Sequence, residues 1–209
     1  MGGRLIVIEG GDGVGKTTLI ASLAKHLEAR GLRPLVLREP GGSTLGERIR
    51  MMLKDGENPP CSRAEALLFA ASRAQLAEEV IKPALVDGRW VLLDRFITSS
   101  LAYQGVGRGL GIEPVRSLSE FALNGLTADR TLLLTLSPAE AARRLQRRGK
   151  ILDRFDAAGL DFHTLVENSY RALAADDPAI VSVDADGAPE MVFAAALVAL
   201  DDLVGTPVS

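Results

Sequence analysis

Residues 10–17 read Gly-Gly-Asp-Gly-Val-Gly-Lys-Thr, and this stretch decides the fold. It fits the pattern G-x-x-x-x-G-K-[ST] and lies between a short apolar run that ends at Glu9 and an amphipathic segment from Thr17 to Arg30. Glycines allow backbone N–H groups to converge on phosphate oxygens, and the helix that follows directs its positive dipole end at the same anion. A plain glycine-rich turn would explain neither the lysine nor the hydroxyl. The stretch therefore predicts a strand, a phosphate-binding loop and a helix.

Three side chains are predicted to hold the phosphates of ATP and their metal. Lys16 would reach the β- and γ-phosphates, and the Thr17 hydroxyl would bind Mg²⁺, a hard cation that takes oxygen ligands. Asp94 follows the apolar run 90–93, so it is expected at the carboxyl end of a strand, where it would support the magnesium shell. A solvated strand-end aspartate is the alternative. The residues predicted to bind ATP are Gly10, Gly11, Asp12, Gly13, Val14, Gly15, Lys16, Thr17, Thr18 and Arg143.

The rest of the chain alternates between apolar runs and helical segments. The runs lack clean polar alternation, as expected for strands of a parallel sheet that is covered on both faces, and they lie at 5–8, 35–37, 90–93, 132–136 and 180–183. The prediction is an α/β protein, namely a three-layer α/β/α P-loop fold with a five-stranded parallel sheet and a short lid; the resemblance described below makes it a P-loop kinase fold. The intervals before and after the third run are long enough for extra helices, which are candidates for binding a substrate.

Composition narrows the functional classes. With 209 residues the chain is expected to form a single domain, residues 1–209. A net charge of -3 gives no overall basic surface for nucleic acid or an anionic membrane. The single cysteine, Cys61, and the two histidines, His26 and His163, provide neither a disulfide framework nor a spaced zinc-ligand set. No signal peptide is evident and the longest apolar stretch, 191–200, is too short to span a bilayer, so we expect a cytoplasmic protein.

A second anion site is indicated by Arg95, which directly follows Asp94 and is expected at the same edge of the sheet. The planar guanidinium suits bidentate binding of phosphate, and Lys16 already serves the donor. Two anion sites favour transfer between two phosphorylated molecules over hydrolysis. The alternative is an ion pair between Arg95 and an acidic residue.

A basic group follows the fourth apolar run. Its members are Arg143, Arg144, Arg147, Arg148, Lys150 and Arg154. Like charges four residues apart on a helix repel each other, and a bound polyphosphate would relieve that repulsion. We interpret residues of about 147–160 as a lid that closes over the transferred group and excludes water. A solvated charged face is an equal alternative.

Matching blocks in the same order carry a resemblance over almost the whole chain. They are residues 9–18, 38–43, 94–96 with 99–105, 148–149 and 152–154. In these blocks the chain resembles bacterial thymidylate kinases, a family of P-loop nucleoside-monophosphate kinases. The resemblance implies transfer of the γ-phosphoryl group of ATP to dTMP, giving dTDP and ADP in dTTP synthesis, with Mg²⁺ as cofactor. It also implies a homodimer, although burial within a monomer would explain the same apolar helices, such as 63–86.

The resemblance also implies roles for individual residues. Arg95 would bind the 5′-phosphate of dTMP and Asp12 its 3′-hydroxyl, while Phe69 would stack on thymine and Arg73 would reach the base O4. Further implied contacts are Pro40 beside the sugar, Ser100 and Gln104 at the base, Tyr103 against the sugar 2′ position and Tyr170 closing the base pocket. Without the resemblance, a core aromatic and a surface arginine would be the preferred interpretation of Phe69 and Arg73.

A hydrogen-bond donor that faces O4 of the base gives an independent physical reason for the choice of base. Cytosine would bring its amino group against the Arg73 guanidinium, and two buried donors that face each other discriminate strongly. Arg73 therefore favours thymine or uracil.

The chain departs from the family pattern at Thr135, where an acid is common, and mildly at Phe96 and Ser43. Some members carry a basic residue in the phosphate loop where this chain has Gly13. By resemblance, charge stabilisation should then come from the lid, and the residues expected to act in catalysis are Lys16, Arg95, Arg148 and Arg154.

Two other functions stay open at this point. A kinase for dUMP or for an uncharged deoxynucleoside is the first, and Arg95 argues against the uncharged acceptor. A P-loop switch or regulatory ATPase is the second, although no Asn-Lys-x-Asp guanine motif is present.

Overall fold

A computed structural model describes residues 2–147, 155 and 159–204 of the chain. All five predicted runs are strands: β1 (Arg4–Glu9), β2 (Pro34–Arg38), β3 (Trp90–Asp94), β4 (Arg130–Thr135) and β5 (Ile180–Asp184). They pair in the order β2-β3-β1-β4-β5, and every pair is parallel. The predicted five-stranded parallel sheet is confirmed.

Helices connect the strands. They are α1 (Lys16–Ala29), α2 (Thr44–Lys54), α3 (Ser62–Leu76), α4 (Lys82–Val86), α5 (Ile97–Ser100), α6 (Ile112–Leu123), α7 (Pro138–Arg147), α8 (Leu160–Asp176), α9 (Pro189–Val198) and α10 (Asp201–Val204). Two π-helical segments join neighbours: Ala77–Ile81 links α3 to α4, and Leu101–Gly107 continues α5. In the described part of the chain, none of these helices is long and apolar enough to cross a membrane.

The sheet forms the middle of three layers because successive strand residues point to opposite faces. Ile6 and Ile8 of β1 belong to a buried cluster with α1, α9 and α10. Leu5 and Val7 belong to a second cluster with the α3–α4 helical run. A third cluster packs the π-helical segment 101–107 and α8 against Leu133 of β4. The predicted α/β/α arrangement is therefore confirmed.

The parallel register brings several polar residues to one edge of the sheet. Ile8 of β1 is level with Asp94 of β3, so Glu9 and Arg95 follow at the same height. Beyond the strands, Arg95 N donates to Ile8 O at 3.0 Å, and Glu39 N donates to Asp94 O at 3.0 Å. This carboxyl edge is the place where open α/β sheets bind ligands.

Candidate functional site

The phosphate loop connects β1 to α1, and its conformation depends on glycine. Gly10 has a φ of 127°, and a Cβ there would lie 2.4 Å from Leu134 O. Gly13 has a φ of 83°, and a Cβ there would lie 2.5 Å from Ala141 O on α7. In this conformation α7 therefore leaves no space for a basic side chain at position 13.

Lys16 is buried within the loop that precedes it. Its Nζ donates to Gly10 O at 3.0 Å and to Gly11 O at 2.7 Å. Burial lowers the pKa of Lys16, and the positive charge of Arg95 lowers it further, whereas the charge of Asp12 opposes the shift. An anion beside the ammonium group would offset the cost of burying its charge.

The phosphate loop borders a polar cavity with about 870 Å³ of empty space. Lys16, Thr17, Arg38, Arg50 and Arg95 line it, together with Asp94. Asp94 Oδ1 is buried and has no hydrogen-bond partner among the described residues. Because a buried oxygen normally finds a donor, an ion or a water, this oxygen is suited to the oxygen shell of a cation. The structure thus brings Lys16, Thr17 and Asp94 together as predicted from the sequence.

Arg95 lies between this cavity and a second one. Its Nη2 donates to Asp12 Oδ1 at 2.6 Å, and its Nη1 donates to Ser99 Oγ at 3.2 Å and to Tyr170 OH at 3.1 Å. The ion pair with an acidic residue that the sequence left open is therefore present, and its partner is Asp12. Arg95 nevertheless lines both cavities, so the ion pair does not exclude an anion from the guanidinium.

A buried carboxylate stands behind Arg95. Glu9 is fully buried, and its Oε1 accepts from the backbone N–H of Phe96 at 2.8 Å and of Ser99 at 3.1 Å. Its Oε2 accepts from Ser99 Oγ at 2.5 Å and from Tyr170 OH at 3.3 Å. These two hydroxyls are the groups that Arg95 Nη1 contacts. Glu9 therefore orients Arg95 indirectly, through the hydroxyl groups of Ser99 and Tyr170.

The second cavity has about 710 Å³ of empty space and lies beside the phosphate loop. It contains every residue predicted for the acceptor except Tyr170, and these are Asp12, Pro40, Phe69, Arg73, Arg95, Ser100, Tyr103 and Gln104. Tyr170 is fully buried behind Arg95 instead. Tyr103 OH donates to Asp12 Oδ2 at 3.3 Å. The structure thus assembles side chains from distant parts of the sequence around one space.

Arg73 lines this cavity, and it is not a surface arginine because only 1% of it is exposed. Its Nε donates to Glu39 Oε2 at 2.8 Å and its Nη1 to Ser119 Oγ at 3.1 Å. Its Nη2 donates to Phe96 O and to Ser100 Oγ, both at 3.0 Å. A guanidinium has five N–H donors, so these contacts leave one for a ligand.

Glu39 is buried beside Arg73, and its second oxygen, Oε1, has no hydrogen-bond partner within the described part of the chain. Burial raises the pKa of Glu39 to about 7, although the charge of Arg73 opposes the rise. The carboxylate fixes the plane of the guanidinium at the cavity wall.

Comparison with known proteins decides the family. The sequence model described as thymidylate kinase matches residues 8–195. The chain belongs to the thymidylate kinase family. It is therefore an ATP-dependent nucleoside-monophosphate kinase, and dTMP phosphorylation is the activity of the family.

Individual thymidylate kinases match along almost their whole length. The thymidylate kinase of Rhizorhabdus wittichii is 46% identical over 207 residues, covering 98% of this chain and 100% of the relative. That of Caldanaerobacter subterraneus subsp. tengcongensis is 47% identical over 178 residues and covers 85% of each chain. The crystal structure of thymidylate kinase from Ehrlichia chaffeensis superposes with a TM-score of 0.78 at 25% identity, covering 96% of this chain and 100% of that one.

Arg50 and Glu65 are parts of the site that sequence reasoning missed. Arg50 of α2 donates to Pro40 O at 2.9 Å and lines both cavities. Glu65 is 1% exposed and accepts from Gln104. The available signal was spacing, because Glu65, Phe69 and Arg73 recur every four residues and so share one face of α3.

A further cavity adjoins the phosphate loop at Val14 and Gly15, with about 690 Å³ of empty space. It is lined by Thr18, Arg144, Gly187, Pro189 and Val192, among others. Arg143, the arginine predicted for ATP, has a side chain that is 64% exposed and paired with Glu140. Arg144, its neighbour, is the arginine on this cavity.

Most of the predicted lid, 147–160, lies outside the described residues, and Arg148 and Arg154 are among those not described. The helix before it, α7, ends at Arg147, and the helix after it, α8, begins at Leu160. Phe155 is described, and its ring contacts Phe69 edge to face with centroids 6.1 Å apart.

Proposed function

We propose that the chain transfers the γ-phosphoryl group of ATP to the 5′-phosphate of dTMP, giving dTDP and ADP for the synthesis of dTTP. One observation carries the proposal. The cavity at the phosphate loop and the second cavity, which we call the acceptor cavity, share four lining residues: Asp12, Glu39, Arg50 and Arg95. Two phosphorylated molecules bound in these cavities would therefore meet at Arg95.

Donor binding would use the phosphate loop as predicted from its sequence. The loop N–H groups and the positive end of α1 suit the phosphates of ATP. Lys16 would exchange its contacts with Gly10 O and Gly11 O for phosphate oxygens, because an anionic oxygen binds a buried ammonium group more strongly than a carbonyl oxygen does. The cavity lined by Thr18 and Arg144 is suited to the part of ATP beyond its phosphates. Binding of ATP by Arg143 stays a prediction.

Magnesium would be held by the Thr17 hydroxyl and supported by Asp94. The unpaired Oδ1 of Asp94 supports this assignment. The described residues contain no group of three or more His, Cys, Asp or Glu that could hold a metal alone, which suits Mg²⁺ because it takes most of its ligands from phosphate and water. When bound, the ion would neutralise charge on the phosphate oxygens. Asp94→Asn should raise the Mg²⁺ concentration for half-maximal turnover severalfold, in a titration at saturating ATP.

Acceptor binding would release Asp12 for a second role. A 5′-phosphate offers Arg95 more acceptor oxygens than the Asp12 carboxylate does, so the ion pair would open toward the ligand. Asp12 would then be available to the 3′-hydroxyl of the sugar. Arg50 adds positive charge on the same wall.

At the base end, Phe69 would stack on thymine, and the remaining donor of Arg73 would bind O4. Further proposed contacts are Pro40 beside the sugar, Ser100 and Gln104 at the base, and Tyr103 against the sugar 2′ position. Tyr170 closes the site from behind Arg95. The hydrogen bond from the Tyr103 hydroxyl to Asp12 supports a position of Tyr103 beside the sugar.

Catalysis would depend on alignment and charge because the acceptor is already an anionic oxygen and needs no strong base. Alignment of two bound reactants supplies about 7–11 kcal/mol. An arginine that meets the transferred group contributes about 10³–10⁵ in rate. Lys16 and Arg95 would take such roles, which their shared position on the cavity at the phosphate loop supports, and the corresponding roles of Arg148 and Arg154 stay predictions.

A coupled assay of ADP release with dTMP, dUMP, dCMP and thymidine tests the proposal. We expect dTMP to be preferred and thymidine, which offers Arg95 no phosphate, to be a poor acceptor. Turnover of thymidine equal to that of dTMP would contradict the assignment of Arg95. ATP hydrolysis that no acceptor stimulates would instead favour a regulatory ATPase.

We also propose that the chain forms a homodimer. α3 packs against both α2 and α6, and these helices expose large apolar side chains: Met51 is 73% exposed, Leu67 57% and Phe121 86%. An apolar surface of this kind favours association. Light scattering should show a dimer that Phe121→Asp converts to a monomer, whereas Met191→Asp on α9, 69% exposed, should not.

A cytoplasmic location and a single domain over residues 1–209 stay predictions. The lone Cys61 supports the location. All described strands join one sheet, which supports the single domain.

A further inference from the structure

Gln104 and Glu65 form a buried pair at the acceptor cavity. Each is 1% exposed, and Gln104 Nε2 donates to Glu65 Oε1 at 2.8 Å. Arg108 Nε donates to the same oxygen at 3.2 Å. Glu65 lies on α3 and Gln104 on the π-helical segment 101–107, so the pair joins two elements of the cavity wall.

The chemistry of the pair fixes the direction of the Gln104 amide. Glu65 Oε1 already accepts from Arg108, and a carboxylate oxygen has no hydrogen to donate to a second neighbour. The amide nitrogen of Gln104 must therefore face Glu65, because the amide oxygen cannot donate. Gln104 Oε1 then points away from the carboxylate, and it has no hydrogen-bond partner among the described residues. Since Gln104 lines the cavity, this oxygen is available to a ligand.

Arg73 and Gln104 both line the cavity, and Ser100, one helical turn before Gln104, accepts from Arg73 Nη2. Among the described residues, Arg73 has one N–H left after its protein contacts, and Gln104 has one carbonyl oxygen without a partner, so the two side chains offer complementary groups to a ligand. Thymine presents a matching pair, the O4 acceptor beside the N3–H donor. Cytosine presents the opposite pair, an amino donor beside a bare nitrogen, so both contacts would be mismatched.

We propose that Glu65 is a positioning residue that sets base specificity, because it holds the Gln104 amide with its oxygen toward the acceptor cavity. The inference rests on the proposed function, since it assumes that the base binds beside Arg73 and Gln104. Glu65 itself would not touch the base. Its effect passes through the orientation of one amide.

Glu65→Gln tests this role because it changes a lone-pair-only partner into one that can donate. The new amide can donate to Gln104 Oε1, and Gln104 can then turn its NH₂ group toward the cavity. We expect kcat/KM for dTMP to fall and that for dCMP to rise, so that their ratio drops by about tenfold or more. The KM for ATP should not change.

Glu79→Gln is the matched control. Gln75 Nε2 donates to Glu79 Oε2 at 2.9 Å, which is the same kind of pair on the same helical run, but it is exposed and away from the cavity. This variant should keep the wild-type ratio of dTMP to dCMP turnover. Melting temperatures of all variants separate loss of stability from change of specificity.

Glu65→Met is a second variant should Glu65→Gln not fold. It removes the acceptor without adding a donor, so the Gln104 amide is free to turn and the ratio should also fall. A folded Glu65 variant with the wild-type ratio overturns the inference, even if turnover of both acceptors falls equally. Wild-type protein that fails to phosphorylate dTMP would instead refute the proposed function.

Discussion

In the proposed function, the phosphate loop and the acceptor cavity each hold a phosphorylated ligand, but they would do so in different ways. The loop is a run of consecutive residues, and it would act through backbone N–H groups and Lys16. The cavity uses side chains from six or more separated segments, and buried acids orient three of its polar groups: Glu9 for Arg95, Glu39 for Arg73 and Glu65 for Gln104. Backbone geometry needs only glycine, whereas long side chains need partners to hold them in one rotamer.

This difference predicts different kinetic signatures. Changes in the loop should affect every acceptor equally, since they act on the shared donor. Substitutions in the cavity should have effects that depend on the acceptor. Substitution of a buried acid should have the same kind of effect as substitution of the group that it orients, but a smaller one.

The largest effect should come from Lys16→Ala in the loop. Removal of a charged group that meets the transferred phosphate should lower kcat by at least about 10²–10³, with the same factor for dTMP and dUMP. Steady-state kinetics with both acceptors measures this. Lys25→Ala, an exposed lysine on the same helix, is the control and should leave kcat unchanged. Factors that differ between the acceptors would break the comparison.

Arg95→Ala should have the next largest effect, and it should fall on the acceptor. Loss of hydrogen bonds between charged groups is worth about 1.5–3 kcal/mol, so kcat/KM for dTMP should fall by about 10–150-fold. Arg95→Lys should recover little because a lysine cannot bind phosphate with a planar fork. ATP binding, measured by calorimetry, should be nearly unchanged. Wild-type acceptor kinetics in the alanine variant would refute the role of Arg95.

Glu9→Gln should produce a weaker form of the Arg95 effect. Its NH₂ group cannot accept from Ser99 Oγ and Tyr170 OH, so the hydroxyls that orient Arg95 would turn. We expect KM for dTMP to rise by about tenfold with little change in KM for ATP. Combined with Arg95→Ala, the substitution should add almost nothing, because coupled residues are not additive. Additive losses would show that Glu9 acts on stability alone.

Tyr170→Phe should give the smallest effect and sharpen the distinction between the two ends of the cavity. It removes the hydrogen bond from Arg95 to one uncharged hydroxyl and leaves Ser99 Oγ and Asp12 as partners of the guanidinium, so KM for dTMP should rise by only about 2–10-fold. The ratio of dTMP to dCMP turnover should stay constant, because Tyr170 contacts the phosphate end. A changed ratio would indicate that Tyr170 acts on the base, as the family resemblance implies.

Local patterns account for what was predictable in the site. The loop, the α1 segment and the strand runs are defined by glycine positions and hydrophobic spacing, and both signals lie within a few residues. The cavity was harder: its residues are separated in sequence, and the family resemblance rather than spacing assigned them. Arg143 and its neighbour Arg144 show the limit, since sequence position does not tell which of two adjacent arginines lines the cavity beside the phosphate loop.

Sequence by itself determined the strands, the parallel sheet, the phosphate loop and the family, because glycine conformation and side-chain periodicity act locally along the chain. Only the tertiary structure decided which donor each acid holds: Arg95 for Asp12, Arg73 for Glu39 and the Gln104 amide for Glu65. Those pairs form where separate strands end at one edge and where the π-helical segment 101–107 turns away from the ordinary helical period. A buried charge takes the partner that folding brings within reach, and no local pattern specifies that partner.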